Sequence, residues 1–360
     1  MDQTSDTRPV RESERLDWDA LAGYLRERLP DASGVALDAA APLEVEQFAG
    51  GHSNLTYLLR FGADEFVMRR PPFGPVAPKA HDMAREFRIL RALHPVFPLA
   101  PRPLLLCEDV GPVGSVFYVM ERRRGLVVRD AEPPALEGRP GERRRASAAV
   151  VDALAGLHAV DVRAHGLDAL GKPEGFVARQ VGGWAERWRR SQTGELPEMD
   201  ALAAWLAGRL PPDPARPAMA HGDYKLDNVM LDARDVGRVV GVFDWEMSAV
   251  GDPLVDLGIL LGYWVHAAAA ARRDSSAAAV TAAEGWFARE EILERYAART
   301  GLDPSAVGFY EVFAVFKLAV VIQQIFFRYR RGQTDDPRFA ALGGRVSWLA
   351  RVASKLAEKQ

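Results

Sequence analysis

The spacing of apolar residues changes along the chain, and each change marks a different kind of element. Residues 16–29 repeat apolar side chains at helical intervals, whereas 43–70 alternates apolar and polar positions between glycine-containing turns. Helical spacing returns at 81–93 and ends at a His-Pro pair, and 102–122 predicts two further strands. The first third of the chain is therefore predicted to be a small, mostly antiparallel sheet with one internal helix.

The rest of the chain is mostly helical by the same criterion. A stretch rich in Arg, Pro and Gly precedes it, and two short apolar strands joined by a turn interrupt the helices at 228–246. The predicted fold class is therefore α+β, with a sheet-rich lobe followed by a helical lobe that holds a small β insert. The predicted segments are a flexible arm at 1–13, an N-lobe at 14–121, a hinge and linker at 122–142, and a C-lobe at 143–360.

Composition and charge limit the classes of protein that fit. The 360 residues are 48% hydrophobic, which is enough for a large core, and the formal net charge is −3, which gives no overall footprint for nucleic acid. The one cysteine, Cys107, excludes an internal disulfide framework and is expected to be a buried apolar thiol in a reducing compartment.

No targeting or membrane-spanning segment is predicted. The N-terminal residues are charged and unlike a signal peptide, and the longest uncharged apolar run, 257–271, is too short to cross a bilayer and predicts a buried helix. We therefore expect a cytoplasmic protein without nucleic-acid or membrane partners, present as a monomer or weak homodimer.

One short stretch, 221–232, is dense in groups that bind metal and phosphate. Asp223 and Asn228 lie five residues apart just before a strand, and Asp244 ends the next strand, so the intervening turn should bring Asn228 and Asp244 close together. An amide oxygen and a carboxylate form a hard, oxygen-only site that suits Mg²⁺. Asp223 is then available to accept a hydroxyl proton, and Lys225 to stabilise a transferring phosphoryl group.

The motif HGDYKLDN resembles the catalytic loop H-x-D-x-K-x-x-N of the protein-kinase-like fold, in the form used by the aminoglycoside phosphotransferase family of small-molecule kinases. Asp244, in FDWE, lies where that family has its metal-binding aspartate. The order of the lobes agrees, and the resemblance covers about residues 35–330. It implies a protein-kinase-like bilobal fold and an ATP- and Mg²⁺-dependent phosphotransferase that acts on a small-molecule alcohol.

The same resemblance implies that the first lobe and the hinge bind the nucleotide. Arg69 stands where the family usually has the lysine that holds the α and β phosphates, and Glu86 resembles the glutamate that pairs with this cation. Arg70 is an alternative cation, but strand alternation points it to the opposite face. The residues of 49–59 resemble the phosphate-covering loop without its G-x-G-x-x-G pattern, and 120–123 resembles the hinge that meets adenine. The implied cofactor-binding residues are Gly51, Ser53, Asn54, Arg69, Glu86, Met120, Glu121 and Arg123.

Other polar and aromatic residues near the motifs have structural explanations. Asp252 is predicted to cap a helix, and Asp256 to bond back to the catalytic loop. Glu246 lies two residues past Asp244 and is an alternative metal ligand. Trp184 and Trp188 lie four residues apart on a predicted helix, a spacing that indicates core packing. Contact with the substrate is the alternative.

Alternative functions stay open at this point. A protein kinase is disfavoured because no A-P-E-like segment follows Asp244, whereas a nucleotide-binding pseudokinase without turnover is favoured by Arg69 alone. An aminoglycoside 3'-type acceptor needs an acidic cleft, yet 163–190 has six basic residues against three acidic ones. We therefore expect a neutral or anionic acceptor. Resemblance through VMRRPP and FDWEMSAVGDPLVDLG to the kinase portion of acyl-CoA dehydrogenase-linked proteins implies a hydroxy acid or hydroxyacyl-CoA.

Overall fold

A computed structural model of the chain divides it into two compact units. The first contains Met1–Arg124 and Val240–Glu246, and the second contains Gly125–Val239 and Met247–Gln360. The segment that returns to the first unit from far along the chain carries Asp244. The described residues are 6–38, 40–48, 54–74, 81–129, 131–270, 279–334 and 337–360, without the side chains of 265–270 and 279.

Among the described residues, the first unit contains a six-stranded antiparallel sheet. Its strands are β1 Thr7–Pro9, β2 Leu43–Phe48, β3 Leu55–Phe61, β4 Asp64–Arg70, β5 Pro103–Cys107 and β6 Phe117–Glu121. They lie in the order β1-β2-β3-β4-β6-β5. Its helices are α1 Trp18–Ser33 and α2 Met83–Leu93. Asp17 and Asp82 cap these helices by accepting hydrogen bonds from backbone amides of their first turns, as N-cap aspartates do.

The N-terminal arm differs from the flexible segment predicted from the sequence. Thr7 lies opposite Phe48 and Pro9 opposite Glu46, so β1 extends the sheet at the edge of β2. The hydroxyl of Thr7 also donates a 2.6 Å hydrogen bond to Glu46 Oε2. The unpaired backbone groups of a sheet edge attract such a strand. Three residues are too few to show a periodicity, which is why the pattern did not predict it.

One face of this sheet forms a core with α1. Tyr57, Leu59 and Phe61 of β3 cluster with Leu21 and Leu25, and all five are fully buried. Because side chains alternate along a strand, the residues between them face the other side of the sheet. The cysteine of β5 belongs to the same core as a buried free thiol, as predicted.

The second unit is mostly helical. Its helices are α3 Pro140–Ala159, α4 Phe176–Ser191, α5 Pro197–Ala207, α6 Leu254–Ala270, α7 Arg289–Thr300, α8 Val307–Arg330 and α9 Leu342–Ala357. Its short strands are β7 Leu126–Val127, β8 Ala218–Ala220, β9 Val229–Leu231 and β11 Ala249–Gly251, while β10 Val239–Val242 crosses the boundary between the units in the chain. Strand β8 pairs with β11 and β7 with β9, both antiparallel. An α+β fold with a sheet-rich part followed by a helical part is therefore confirmed.

Helix α8 lies in the core of the second unit. Among the described residues it is the one helix long and apolar enough to cross a membrane by length and composition, but 72% of its apolar window is buried inside the structure. A Cβ added at Gly258 of α6 would lie 2.5 Å from Cβ of Tyr310 on α8. The close contact between α6 and α8 at this point therefore requires a glycine. Trp184 and Trp188 are buried in the same core, which confirms their predicted packing role.

Candidate active site

The loop after β8 is fixed by hydrogen bonds to a residue in the first turn of α6. The backbone amides of His221 and Gly222 donate to the two carboxylate oxygens of Asp256 at 2.6 and 2.7 Å. Asp256 is fully buried, and His158 Nε2 lies 3.2 Å from it. The prediction that Asp256 bonds back to this loop is confirmed. Asp252 also accepts from the amide of Leu254 at 2.9 Å, as predicted for a cap.

A glycine is required at the second position of this loop. Gly222 has a φ of 82°, a conformation that side chains disfavour, and a Cβ there would lie 2.6 Å from the carbonyl oxygen of Met247. This turn lets the chain pass from β8 to Asp223 within two residues. The local geometry of the loop is therefore fixed on both sides, by hydrogen bonds and by steric contact.

Three of the predicted catalytic residues come together in the second unit. Lys225 Nζ donates to Asp223 Oδ2, and Asn228 Nδ2 donates to the carbonyl oxygen of Asp223 at 2.8 Å and to its Oδ2 at 3.2 Å. Because Nδ2 faces Asp223, the amide oxygen of Asn228 is the end that faces away. Lys225 also lies 5.1 Å from the ring centroid of Tyr263, which is within the range of a cation–π contact.

The charges around Asp223 keep it ionised. Burial opposes its charged form, but Lys225 and Lys317 outweigh this and lower the pKa of Asp223 below its usual value. Burial likewise opposes the charged form of Lys225, but Tyr263 and Asp223 together raise its pKa. Asp223 is therefore favoured as a carboxylate acceptor, with Lys225 bonded to it.

Lys317 is a residue that the sequence analysis missed. It lies on α8, is 8% exposed, and donates from Nζ to the carbonyl oxygen of Gly222. Burial lowers the pKa of Lys317, while Asp223 raises it. The signal for Lys317 was available in the sequence, because it is the one charged residue in the apolar run from Val312 to Ile322. A lone lysine on the buried face of a helix needs a reason to be there.

The first unit contains a second cluster of charges. Arg69 Nη2 donates to Asp244 Oδ1 at 2.9 Å and lies 3.5 Å from Glu86 Oε1. Burial alone would lower the pKa of Arg69, but Glu86, with Tyr118 and Asp244, raises it well above its usual value. The alternative cation, Arg70, lies on the opposite face of β4. The structure thus brings Arg69 and Glu86 together, as the resemblance implied, and adds Asp244, whose contact with Arg69 was not predicted.

Asp244 has an unusual backbone conformation. Its φ of 69° lies in the left-handed region, which among the described non-glycine residues is shared only with His81. Side chains rarely adopt this conformation, and residues held in it are frequent at functional sites. The turn directs the carboxylate of Asp244 towards Arg69 within the first unit.

Glu246 and Asn54 are joined by a hydrogen bond between their side chains. Asn54 Nδ2 donates to Glu246 Oε2 at 2.8 Å, a hydrogen bond of 2.8 Å joins Asn54 Oδ1 to His81 Nδ1, and Arg85 donates to the carbonyl oxygen of Glu246. The cluster therefore contains three carboxyl groups, Glu86 included, and two guanidinium groups, so acidic groups outnumber basic ones; burial raises the pKa of Glu86, although Arg69 opposes this. Gly51 and Ser53, also predicted to cover the phosphates, lie outside the described residues.

The predicted hinge begins at the end of β6. Met120 is buried and pairs with Val67 of β4. The backbone amide of Glu121 donates a hydrogen bond to the carbonyl oxygen of Arg102, which precedes β5. The guanidinium of Arg123 donates to Glu121 Oε1 at 2.7 Å and to the carbonyl oxygens of Pro98 and Val240 at 2.8 and 3.1 Å. The side chain of Arg123 is therefore used to fix the hinge, and a contact with adenine would have to come from the backbone.

Two charge clusters, one in each unit, thus hold the described residues that the sequence singled out for catalysis and phosphate binding. Asn228 belongs to the second unit and Asp244 to the first, so their joint ligation of a metal stays a prediction. A sheet with a buried Arg–Glu pair, followed by a helical unit with an Asp-x-Lys-x-x-Asn loop, defines a kinase-like phosphotransferase that acts on small molecules.

Comparison with known proteins identifies the family. Residues 44–293 match the model of the APH phosphotransferase enzyme family, to which this chain belongs. A solved protein from Ralstonia eutropha JMP134, named as an aminoglycoside phosphotransferase, is 31% identical with a TM-score of 0.77, and the match covers 96% of this chain and 99% of that one. The ADP-bound aminoglycoside phosphotransferase APH(2'')-Ib is 16% identical with a TM-score of 0.54, covering 95% of this chain and 99% of that one, and shows the shared fold.

Curated relatives connect the chain to longer proteins. Acyl-CoA dehydrogenase family member 11 of Mus musculus is 35% identical over 363 residues, a match that covers 99% of this chain and 45% of that protein. The chain therefore spans less than half the length of this relative. The predicted resemblance to kinase domains associated with acyl-CoA dehydrogenases is confirmed.

Proposed function

We propose that the protein transfers the γ-phosphoryl group of ATP to a hydroxyl group of a neutral or anionic small molecule. The observation that carries this proposal is the arrangement at Asp223. Its carboxylate is kept ionised by Lys225 and Lys317 and is oriented by Asn228, as a group that accepts a proton from an alcohol requires.

In the proposed reaction the acceptor oxygen forms a bond to the γ-phosphorus, and the bond from that phosphorus to the β–γ bridging oxygen breaks, releasing ADP. Asp223 accepts the hydroxyl proton, and Lys225 stabilises the charge on the transferring group. Arg69, held by Glu86, binds the α and β phosphates. Catalysis then consists of positioning and electrostatic stabilisation, without a covalent intermediate on the enzyme.

The proposed metal ligands are one residue from each charge cluster. Carboxyl groups outnumber guanidinium groups in the first unit's cluster, and Asp244 and Asn228 offer the oxygen donors that Mg²⁺ prefers. Among the described residues no group of three His, Cys, Asp or Glu side chains could hold a metal by itself, which favours an ion shared with substrate phosphates. Asp244 and Asn228 are the proposed ligands, and Mg²⁺ when bound would neutralise charge on the phosphates.

The acceptor is proposed to be a hydroxy acid or a hydroxyacyl-CoA rather than an aminoglycoside. Two lysines, Lys225 and Lys317, act electrostatically on Asp223, and such cations would repel a polycation. The names of the curated relatives refer to acyl-CoA chemistry, which supports an acyl acceptor. The solved relative at 31% identity carries an aminoglycoside name, so aminoglycosides belong in the test.

The experiment is a screen for ATP-dependent phosphorylation. Purified protein, ATP and Mg²⁺ are incubated with hydroxy acids, hydroxyacyl-CoA thioesters, sugars and aminoglycosides, and both ADP and phosphorylated product are measured by mass spectrometry. We expect product from one of the first two groups and none after chelation of Mg²⁺. Tight nucleotide binding without product from any acceptor would favour the pseudokinase alternative, and saturable turnover of an aminoglycoside would overturn the proposed acceptor.

A further inference from the structure

The face of α6 that supports the catalytic loop makes a second contact with it. Asp256 accepts hydrogen bonds from two backbone amides of the loop, and Tyr263 follows on the same helix. The two residues are seven positions apart, which places them two turns apart on one face of a helix. The ammonium of Lys225 lies over the ring of Tyr263, with 5.1 Å between Nζ and the ring centroid. Helix α6 therefore holds the loop at its backbone and again at one of its side chains.

The ring of Tyr263 is itself held in place. It is partly buried and packs against the apolar core of the second unit. Helix α6 also lies close to α8 next to this ring, since a Cβ added at Gly262 would be 3.1 Å from Cβ of Ala314. Burial raises the pKa of Tyr263 to about 12, although Lys225 opposes this, so the phenol is neutral at physiological pH. Lys225 therefore contacts the π face of a neutral ring and not a phenolate.

Lys225 depends on such contacts for a defined position. Its ammonium is carried on a flexible four-carbon stem, which adopts many conformations when nothing holds its end. Among the described residues, Asp223 Oδ2 accepts a hydrogen bond from Nζ and the ring of Tyr263 lies beside it. The side chains of Lys225 and Asp223 are 16% and 19% exposed, so a ligand can reach both charged groups.

The two contacts respond differently to phosphoryl transfer. When Asp223 accepts the hydroxyl proton, its carboxylate becomes a neutral acid and its attraction for Lys225 falls. The attraction of an aromatic ring for a cation comes from the ring quadrupole, which this proton transfer leaves unchanged. The contact with Tyr263 is therefore the one that persists while the ammonium is needed at the transferring group.

We propose that Tyr263 is a positioning residue, which keeps the ammonium of Lys225 beside Asp223 by a cation–π contact during phosphoryl transfer. This inference rests on the proposed function, in which Lys225 stabilises the transferring group. It adds to the catalytic loop a residue from a separate helix. A ring that attracts cations more weakly should lower kcat with little change in the KM for ATP, because nucleotide binding is assigned to the first unit and the hinge.

The test changes the electron density of the ring and nearly preserves its size. Tyr263 is replaced by phenylalanine and, by amber suppression, by mono-, di- and trifluorophenylalanine, since each fluorine weakens the attraction for a cation. Each protein is assayed with ATP, Mg²⁺ and the best acceptor from the screen. Tyr263→Phe should keep kcat within about threefold of wild type, and kcat should then fall stepwise to a total of roughly 3- to 30-fold. The KM for ATP should stay within about twofold.

Two leucine variants complete the comparison. Tyr263→Leu removes the ring and should reduce kcat as far as the trifluorinated ring does. Phe327→Leu is the matched control, because Phe327 is also a partly buried ring of the second unit with a cation, Arg331, 4.6 Å from its centroid. Its kcat should stay within about twofold of wild type. If Tyr263→Leu fails to fold, the fluorinated series decides alone, since its members have nearly the same shape.

A second readout does not depend on turnover. The chain has six lysines, so protein isotope-labelled at the lysine ε-carbon gives few signals in an NMR spectrum. The ring current of Tyr263 should shift the ε-proton signal of Lys225 upfield, and Lys225→Arg identifies that signal by its absence. The shift should be kept in Tyr263→Phe and Phe327→Leu and lost in Tyr263→Leu.

The outcomes separate this inference from the proposed function. A kcat that stays constant along the fluorinated series would make Tyr263 a packing residue, while the kinase activity stands. A Lys225 signal without the upfield shift would exclude the contact itself, whether or not the protein turns over. If the shift is present and ATP binds but no acceptor in the screen is phosphorylated, the proposed function fails and the catalytic role of Tyr263 fails with it. A stepwise fall in kcat at constant KM for ATP supports the inference.

Discussion

The two charge clusters are opposite in composition. In the first unit Arg69 faces the carboxylates of Glu86 and Asp244, and Glu246 adds a third, so negative groups are in excess. In the second unit two lysines, Lys225 and Lys317, act on the single catalytic carboxylate, Asp223, so positive groups are in excess among these three. An excess of negative groups favours the binding of a cation, and an excess of positive groups favours the binding of an anion. The two clusters therefore differ in the charge of the ligand that each one favours.

This difference gives the units separate tasks in phosphoryl transfer. A cluster that gains a metal ion would bind the nucleotide's phosphates through that ion, whereas a cluster with two lysines beside its carboxylate would stabilise charge that develops on the transferring group. If the comparison is correct, variants of the first cluster change metal and nucleotide dependence. Variants of the second change turnover and acceptor choice, with little effect on nucleotide binding.

The sharpest test of the second cluster is Asp223→Ala. Turnover should fall on the order of 1000-fold, because the group assigned to accept the hydroxyl proton is removed. The dissociation constant for ATP, measured by calorimetry, should change by less than about threefold because Asp223 is assigned to the acceptor. Turnover near the wild-type value would remove Asp223 from its proposed role.

Asp244→Ala makes the corresponding change in the first cluster. Turnover should fall on the order of 100-fold or more, because the proposed metal ligand is lost. Unlike the previous variant, it should also lose the tightening of ATP binding by Mg²⁺, measured by titrating ATP with and without the metal. Unchanged Mg²⁺ dependence would make Asp244 a structural residue that orients Arg69.

Arg69 tests whether the first cluster needs a charge or a particular side chain. Arg69→Ala should weaken ATP binding and reduce kcat/KM by roughly 10- to 100-fold, since a cation at the phosphates is removed. Arg69→Lys should retain activity within about tenfold, because lysine supplies the charge without the planar fork. Arg70→Ala is the control on the opposite face of β4. If it were the more damaging change, Arg70 would be the phosphate-binding cation.

Much of this arrangement could be predicted from the sequence, because the relevant signals are local. The motif from His221 to Asn228 identifies the catalytic loop. Strand alternation placed Arg69 and Arg70 on opposite faces of β4. Each of these inferences uses spacing within one element or between neighbouring ones.

The contacts that were missed join residues far apart in the chain. Lys317 reaches Gly222 from a helix about 95 residues later, and Asn54 meets Glu246 across 192 residues. No periodicity connects such pairs, since only the packing of helices and strands brings them together.

The smallest expected effect concerns the support of the second cluster by α6. Asp256 and Asp252 lie one turn apart and are both buried, but their pKa values shift in opposite directions. Burial opposes the charge of Asp256, yet His158 and the loop amides lower its pKa. For Asp252, burial raises the pKa despite the hydrogen bonds from Tyr310 and Leu254. The structure therefore favours the ionised form of Asp256 and the protonated form of Asp252.

Replacing each by asparagine should reveal this contrast in the free energy of unfolding, measured with urea from pH 7 down to pH 4 and below. A carboxyl group with a lowered folded pKa stabilises the protein above its unfolded pKa of about 3.9, and this contribution is lost as the pH falls through the folded pKa. Asp256→Asn should therefore lower the free energy of unfolding by about 1–3 kcal/mol at pH 7, because a backbone amide loses its acceptor, and the difference from wild type should shrink in acid.

A raised folded pKa changes the sign of this pH dependence. The stabilisation that it gives is fully present below the unfolded pKa and is lost as the pH rises through the folded pKa. Asp252→Asn should thus cost less at pH 7 and more in acid. Parallel pH profiles for the two variants would contradict the assignment of a charged Asp256 beneath the catalytic loop.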